Sequence, residues 1–494
     1  MMITNRFMGA WLVVGMVLAG CAPAATPAMP VASAIPSAGP SVAPPPSATP
    51  DPLPELTLVP GDRYFRLDGR PAFIYSRNIA GYSREDFDIL AAAAHQGGAV
   101  LVRVGLDNVA MGGNKGYGYT SDGMIHDRWS QNWEHLFYVA EANGVYVMPY
   151  FTGWMNWNTS GYNTWADNPF NSANGGPAQS PTEIFKQDSP TQQLYLKWFK
   201  GLVERWQHHR NILAWELVSE VNLITYISEP QGIYLVEQMA AIVEDADDLH
   251  RPTTASLADM PGWSDFYRSD AVEFINYHPY PPTSMLDSRV LKEVPRYLAA
   301  YNKPLLIGES GLHYATPDSH EGRLILAPNA ARGLQHAIWA EMVSGAMNGR
   351  ALWWEDGYGV YFSELGLPWV MEYQDLEAPA LRFSQDLDMA GMTPLAASMD
   401  GTLLGAALGN ENMIIGWYRD AACEPPDWPV QPVITGQSVT LTVPGSETRW
   451  QLDFYDTKTG DPNGITALVF SHEGDLVIQL PDFSGDIAFK AYPQ

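Results

Sequence analysis

The chain has 494 residues and a formal net charge of −27, from 28 Lys and Arg against 55 Asp and Glu. It contains no basic run, which excludes nucleic acid and anionic membrane surfaces as partners. A hydrophobic fraction of 46% and an aromatic fraction of 12% supply a large core, enough for two domains.

The N-terminus reads as a targeting segment. Arg6 supplies a positive n-region, and Trp11 to Leu18 form an apolar run too short to span a bilayer as a mature helix. Leu18-Ala19-Gly20-Cys21 follows and resembles the lipobox of bacterial lipoproteins, in which the Cys is lipidated after cleavage. An ordinary secretory signal is the alternative. Residues 22–54 are dominated by Ala, Pro, Ser and Thr, cannot bury enough apolar surface to fold, and form a disordered tether. A signal over 1–21 and this tether imply an extracytoplasmic protein, held at a membrane only through its lipid or else secreted. Cys423 is the only other cysteine, so lipidation of Cys21 leaves no intrachain disulfide and no cysteine-based metal or redox motif.

From residue 55 to 391 the chain alternates strands with helices. Tyr64-Phe65-Arg66-Leu67 and Ala72-Phe73-Ile74-Tyr75 flank the turn Asp68-Gly69-Arg70-Pro71, which predicts a hairpin leading into the first barrel strand. Ser83 and Asp86 start a helix in a loose capping box that runs to about Gln96. The later strands are expected at Ala99 to Val104, Val145 to Tyr150, Ile212 to Val218, Thr253 to Leu257, Val272 to Tyr277, Leu305 to Gly308 and Arg350 to Trp354. The helices between them are expected at Gln131 to Asn143, Thr191 to Gln207, Gly232 to Asp247, Leu286 to Tyr301 and Ala330 to Met347, with a last one near Ala378 to Asp388. Such a series suits a (β/α)8 TIM barrel. An open doubly wound sheet is disfavoured because no Gly-rich phosphate loop follows the first strand.

Residues 392–494 change grammar. Short alternating runs at Leu403 to Ala407, Met413 to Tyr418, Val439 to Val443, Trp450 to Tyr455, Leu476 to Leu480 and Ile487 to Ala491 predict a small all-β sandwich. A domain that buttresses the barrel is the favoured reading over one that binds sugar.

Side-chain parity then points to chemistry. In the fourth barrel strand Ala214, Glu216, Val218 and Glu220 share one face. Glu216 cannot lie against apolar helices without a large desolvation cost, so this face turns to the barrel axis and Glu220 projects into the mouth. Leu305, Ile307 and Glu309 share a parity in the same way. Two carboxyl groups at the C-terminal end of one barrel suit hydrolysis of a sugar–sugar bond. One holds a proton for the leaving oxygen, and the other is ionised to attack the anomeric carbon.

At these residues the chain resembles glycoside hydrolase family 5. Trp215-Glu216-Leu217-x-Ser219-Glu220 is similar to its strand-four motif W-E-L-x-N-E, and Ile307-Gly308-Glu309-x-Gly311 to its strand-seven nucleophile motif. Asn276-Tyr277-His278-Pro279-Tyr280 is similar to its strand-six H-x-Y. Trp353 and Trp354 stand where the family has a strand-eight Trp, Arg103 at its strand-two Arg and Asn78 near its strand-one Asn. The matches fall in order across residues 61 to 390. The resemblance implies Glu220 as acid/base and Glu309 as nucleophile, with Tyr280, His278 and Arg103 serving them. Trp353 and Trp354 would bind substrate, with Trp354 as an apolar floor beneath the reacting sugar, and Asn78 would bond a sugar or orient a carboxylate. It implies no metal or organic cofactor. Two positions depart from the pattern. Ser219 replaces the Asn that commonly contacts the 2-hydroxyl, and Tyr150-Phe151-Thr152 stands where the family has a strand-three His.

The loop after the third strand carries Trp154, Trp157, Tyr162, Trp165, Asn168 and Asn171, a candidate sugar-stacking wall or a self-packed loop. Glu216 reads as a structural partner for a barrel arginine, which Arg103 could be instead of serving Glu309. His208 and His209 are expected at a solvated helix end, His313 and His320 at the surface, and Glu355 and Asp356 in the cleft or capping a turn. No H-E-x-x-H occurs and no clustered metal-ligand set is visible at the strand ends, which weighs against a metal-dependent hydrolase. The expected protein is a monomeric retaining glycosidase acting on a β-glycan, cellulase-like or mannanase-like. A non-catalytic carbohydrate-binding protein on an inactive barrel is the alternative.

Overall fold

The computed structural model describes residues 53–79, 84–105, 117–150, 152–159, 164–258, 262–281, 285–312, 329–353, 375–399, 401–429, 432–444 and 448–494. The signal, Cys21, most of the tether, Trp354, Glu355, Asp356, His313 and His320 lie outside those residues.

Three short antiparallel strands, β1 (Leu56–Thr57), β2 (Phe65–Leu67) and β3 (Arg70–Ala72), form the expected hairpin with one strand added. The chain then enters the barrel. Its strands are β4 (Ile74–Ile79), β5 (Leu101–Gly105), β6 (Tyr146–Tyr150), β7 (Trp215–Glu216), β8 (Thr253–Thr254), β9 (Ser256–Ala258), β10 (Ile275–His278), β11 (Leu305–Ile307) and β12 (Asn348–Gly349). They pair in parallel in two arcs, β12-β4-β5-β6-β7-β8 and β11-β10-β9. Only Ala255 separates β8 from β9, and a bridge between Ser310 and Leu352 joins the ends beyond β11 and β12. The ring therefore closes, as expected of a TIM barrel.

The helices are α1 (Arg84–Gln96), α2 (Asp127–Ala142), α3 (Pro190–Trp206), α4 (Glu229–Ala246), α5 (Leu286–Tyr301), α6 (Ala330–Ser344) and α7 (Ala378–Ser384). Local chemistry sets their starts. Ser189 accepts from the Gln192 N–H with Pro190 at the first turn, and Ser228 with Gln231 forms a capping box on α4. Inside the ring, Ile74, Leu101, Met148, Ala214, Phe274, Leu306 and Met347 pack with Leu56 and Phe65. The hairpin thus plugs the N-terminal end of the barrel and leaves the C-terminal end as the place for a site.

Strands shorten where side-chain chemistry takes over from the ladder. The fourth barrel strand, expected over Ile212 to Val218, pairs regularly at Trp215–Glu216, with single parallel bridges at Ile212 and Ser219, and the chain turns at Glu220. The eighth pairs at Asn348–Gly349 rather than from Arg350, whose φ of 62° turns the chain. Buried Arg350 is fixed there by its N–H to Glu341 Oε2 at 2.7 Å and by its side chain to Glu377 Oε2 at 2.6 Å.

The C-terminal domain has two sheets. Strands β13 (Thr393–Pro394), β15 (Leu403–Gly409), β16 (Ile414–Asp420), β18 (Arg449–Tyr455), β19 (Pro462–Phe470) and β21 (Asp486–Pro493) form one in the order β13-β15-β16-β21-β18-β19. β14 (Ala397–Met399), β17 (Ser438–Thr442) and β20 (Asp475–Gln479) form the other. Parity on β16 explains how the domain docks. Ile414 and Tyr418 face the sandwich core, while Ile415 and Trp417 join Trp339, Val343 and Phe383 of the barrel helices. A buried ion pair, Arg419 with Asp287 at the start of α5, reinforces the seam. The barrel and the β domain accordingly form one compact unit. Free Cys423 is buried. Among the described residues no helix is long and apolar enough to cross a membrane.

Candidate active site

A buried arginine organises the mouth of the barrel. Arg103 on β5 points along the axis and donates to Glu216 from Nε at 2.5 Å and from Nη2 at 2.8 Å. Its Nη1 donates to Glu309 Oε1 at 2.6 Å, and Nη2 also donates to Ser219 Oγ at 2.9 Å. The sequence left open whether Arg103 serves Glu216 or Glu309. It serves both, because a guanidinium has five donors in a planar fork. Burial works against its charge, but Glu216 and Glu309 more than offset this and push its pKa up. Tyr150 supports the guanidinium from one side, with the ring centroid 4.3 Å from Cζ. Tyr150 belongs to the segment Tyr150-Phe151-Thr152 noted above for its lack of a histidine. Gly105 makes room for it, since a Cβ there would fall 2.0 Å from the Tyr150 hydroxyl.

Glu309 follows β11 and receives a second donor, the Tyr280 hydroxyl, at 2.9 Å to Oε2. Gly308 before it permits close approach of β10, because a Cβ there would sit 1.9 Å from Asn276 Oδ1 and 3.0 Å from His278 Nε2. Burial raises the Glu309 pKa above the usual carboxylate range, while His278, Arg103 and Tyr280 pull it down.

Glu220 is held differently. Its backbone is left-handed, with φ 52° and ψ 48°, a conformation that costs a non-glycine residue free energy. Three hydrogen bonds fix it. The Glu220 N–H donates to Ser256 Oγ at 2.9 Å, Ser219 N–H to Thr152 O at 2.7 Å, and Leu223 N–H to Glu220 O at 2.9 Å. Ser256 in turn donates to Glu216 Oε1 at 2.9 Å. Glu216 therefore orients Arg103 on one side and the Glu220 backbone on the other. The Glu220 carboxyl shares a hydrogen bond with His278 Nδ1 at 3.1 Å and accepts one from the Trp154 side chain. Burial, opposed by Arg103 and aided by Glu216, pushes its pKa up to about 7. The contrast with Glu309 has a plain cause. Glu309 touches a cation, whereas Glu220 touches the Trp154 side chain and a histidine whose own pKa burial lowers to about 4.

The two carboxyl groups face one space. One oxygen from Glu220, one from Glu309 and a ring nitrogen of His278 lie within 4.8 Å of one another. Both carboxyl side chains are largely buried but not sealed, with 14% of the Glu220 side chain and 9% of that of Glu309 exposed. The same three groups could hold a metal ion, which corrects the expectation that no ligand set gathers at the strand ends. The sequence hides the cluster because the three strands meet only in space. Both Glu309 oxygens are already engaged, by Arg103 and by Tyr280, and the guanidinium places a positive charge beside any added cation.

Other expected residues take other duties. Asn78 is buried, donates to Gly308 O at 3.1 Å and Ala351 O at 3.0 Å, and accepts from Arg103 at 3.3 Å. It clamps the strand ends and does not line the cleft. Ser219 is buried as well and spends its oxygen on Arg103, so it belongs to the network beneath the carboxyl groups rather than to the sugar wall. Trp157 is not a stacking platform. It is 0% exposed and packs on Trp165, Tyr195 and Phe170 with centroids 5.8, 5.8 and 6.3 Å away. The aromatic loop after β6 is self-packed at its base, and Trp154 alone of the described tryptophans in it reaches the carboxyl pair. Trp353 is half-buried beside this centre, its N–H bonded to Ser310 O at 2.9 Å.

No protein-family model matches the sequence, and no curated protein matches it. Solved structures do share the architecture. One named as a glycoside hydrolase has a TM-score of 0.59 at 12% identity, over 88% of this chain and 96% of its own. Another, a glycoside hydrolase family 5 protein from Bacteroides vulgatus ATCC 8482, has a TM-score of 0.58 at 11% identity, over 88% of this chain and 93% of its own. At such identities the likeness establishes the fold, a TIM barrel followed by a β-sandwich.

Proposed function

We propose that the protein is a retaining glycosidase that cleaves a β-linked polysaccharide or oligosaccharide by double displacement. The observation that carries this reading is the asymmetry of the Glu220–Glu309 pair. Two carboxyl groups face one another at short range, one beside a cation and one without. One oxygen of each lies within 4.8 Å of the other, which supports the close pairing, roughly 5–5.5 Å between carboxyl groups, of retaining enzymes. Ionised Glu309, steadied by Arg103 and Tyr280, attacks the anomeric carbon. Protonated Glu220 gives its proton to the leaving oxygen. Water then enters, Glu220 takes its proton, and the ester to Glu309 is hydrolysed. The neighbours named as glycoside hydrolases support the class. The cellulase-like or mannanase-like substrate rests on the motifs alone. So does the location of the enzyme, a monomer outside the cytoplasmic membrane, anchored through Cys21 or secreted. A carbohydrate-binding barrel without turnover has no use for a carboxyl group tuned to about 7 beside an ionised partner.

The test is the anomeric configuration of the first product released from a panel of β-glucans, mannans and xylans, followed by NMR. Retention is expected. Inversion, or no turnover on any β-glycan or aryl β-glycoside, removes the proposal.

A pH profile follows from the same pair. Catalysis needs Glu220 protonated and Glu309 ionised. With Glu220 near 7, kcat/KM falls about tenfold per pH unit above that value as the acid is lost. The acid limb is set by Glu309 and lies above the ordinary carboxylate range. On an aryl glycoside with a good leaving group, Glu220→Gln should abolish the basic limb and keep the acid one.

A further inference from the structure

At the opposite end of the barrel a second group of ligating side chains comes together. Glu134 lies on α2, and His208 and His209 lie in the turn between α3 and the segment that starts at Ile212. One donor atom from each falls within 4.8 Å of the other two. Ile212 bridges Val147 at the N-terminal side of β6, so this group sits at the closed end, away from Glu220 and Glu309.

The geometry is that of donors waiting for a common partner. His209 is 2% exposed, and its Nε2 is buried without a hydrogen bond. Glu134 Oε1 stands 3.8 Å from that nitrogen, too far for a hydrogen bond. Two ligands on one zinc ion, each at about 2.0–2.1 Å in a tetrahedron, are roughly 3.4 Å apart, so a shift of a few tenths of an ångström brings this pair into range. The ring of His209 is fixed against Phe137 and Tyr138, with centroids 4.9 and 5.1 Å away. Its backbone is held too, the carbonyl accepting from Arg251 Nη2 at 2.8 Å and the N–H donating to Trp206 O at 3.0 Å. Two cations stand nearby. Arg205 donates to Glu134 Oε2 at 3.3 Å from an exposed position and leaves Oε1 for the site. Arg251 is paired with Asp247 at 3.2 Å.

We propose that Glu134, His208 and His209 form a binding site for a divalent transition metal of the zinc type, with water completing the coordination. Two imidazoles and one carboxylate suit zinc and disfavour calcium and magnesium, which take oxygen ligands. The ion would staple α2 to the turn after α3, which makes its role structural. It takes no part in the chemistry at the barrel mouth.

The test is calorimetric titration of the full chain with zinc chloride at pH 7 after treatment with EDTA and dialysis, together with melting curves. One zinc is expected to bind, and His208→Ala and Glu134→Gln should each weaken it at least about tenfold. Both substitutions lie away from the core, whereas His209→Ala removes a packed ring. Zinc should raise the melting temperature of the wild type and not of His208→Ala. No binding at about 1 mM zinc overturns the proposal, as does binding by both variants as tight as that of the wild type. Loss of binding only in Glu309→Gln overturns it as well and places the ion among Glu220, His278 and Glu309.

Discussion

Glu309→Ala is expected to lower turnover on the order of 10⁴-fold or more while leaving the melting temperature close to that of the wild type. The two effects separate because of Arg103. Without Glu309 the guanidinium keeps its bidentate pairing to Glu216, so no buried charge is orphaned. Azide fits the space left by the carboxylate. It should restore turnover of an aryl β-glycoside and yield the α-glycosyl azide, since only one displacement then occurs. Glu220→Ala should behave differently. Loss of a general acid costs about 10²–10⁴-fold when the leaving group is a sugar and far less when it is an acidic phenol. Azide should then intercept the ester on Glu309 and give the β-glycosyl azide. An exchange of the two products between the variants would exchange the roles. Near-normal rates for either variant on every substrate would end the carboxyl-pair mechanism.

Much of this centre was legible in the sequence because β-strand parity is a strong constraint. One charged residue in an apolar run, Glu216, fixed which face of its strand met the axis, and Glu220 followed two positions beyond Val218. The helices read well because an apolar period of about 3.6 residues sustained over several turns is as strong a constraint, and α5 matches its expected span, Leu286–Tyr301, at both ends. The gaps arise where a role depends on a neighbour across the barrel. Ser256 lies inside a predicted strand, but nothing in one chain tells that its hydroxyl bridges Glu216 and the Glu220 N–H. Tyr150-Phe151-Thr152 counted only as the segment that lacks a histidine, although Tyr150 is the platform under Arg103. Trp157 was misplaced because a ring that stacks on sugar and a ring that stacks on Trp165 leave the same letter in the sequence. Strand β19 went unnoticed because its first five residues, from Pro462 to Thr466, are exposed and carry no apolar alternation.

Arg103→Met gives the other large expected effect, and it acts on two quantities at once. Glu216 is fully buried and would keep only the hydroxyl of Ser256 as a partner among its charged and polar contacts named above. Breaking a buried pair from one side costs about 3–5 kcal/mol, so the variant should melt well below the wild type. Glu309 loses its cation as well. Arg103 holds the Glu309 pKa down, so its removal lets burial raise that pKa further toward that of Glu220. The acid limb of kcat/KM then moves up in pH, and the basic limb rises with it, because Arg103 also holds the Glu220 pKa down. Arg103→Lys keeps the charge but offers one compact ammonium to two carboxylates, and it should fall between the two in both stability and rate. The double substitution Arg103→Met with Glu216→Met separates the roles. It removes the orphaned charge and should recover most of the melting temperature, yet it leaves Glu309 without its cation and should stay slow. Recovery of activity along with stability would mean that Arg103 serves only as the counter-ion of Glu216, and the poise of the nucleophile would need another source.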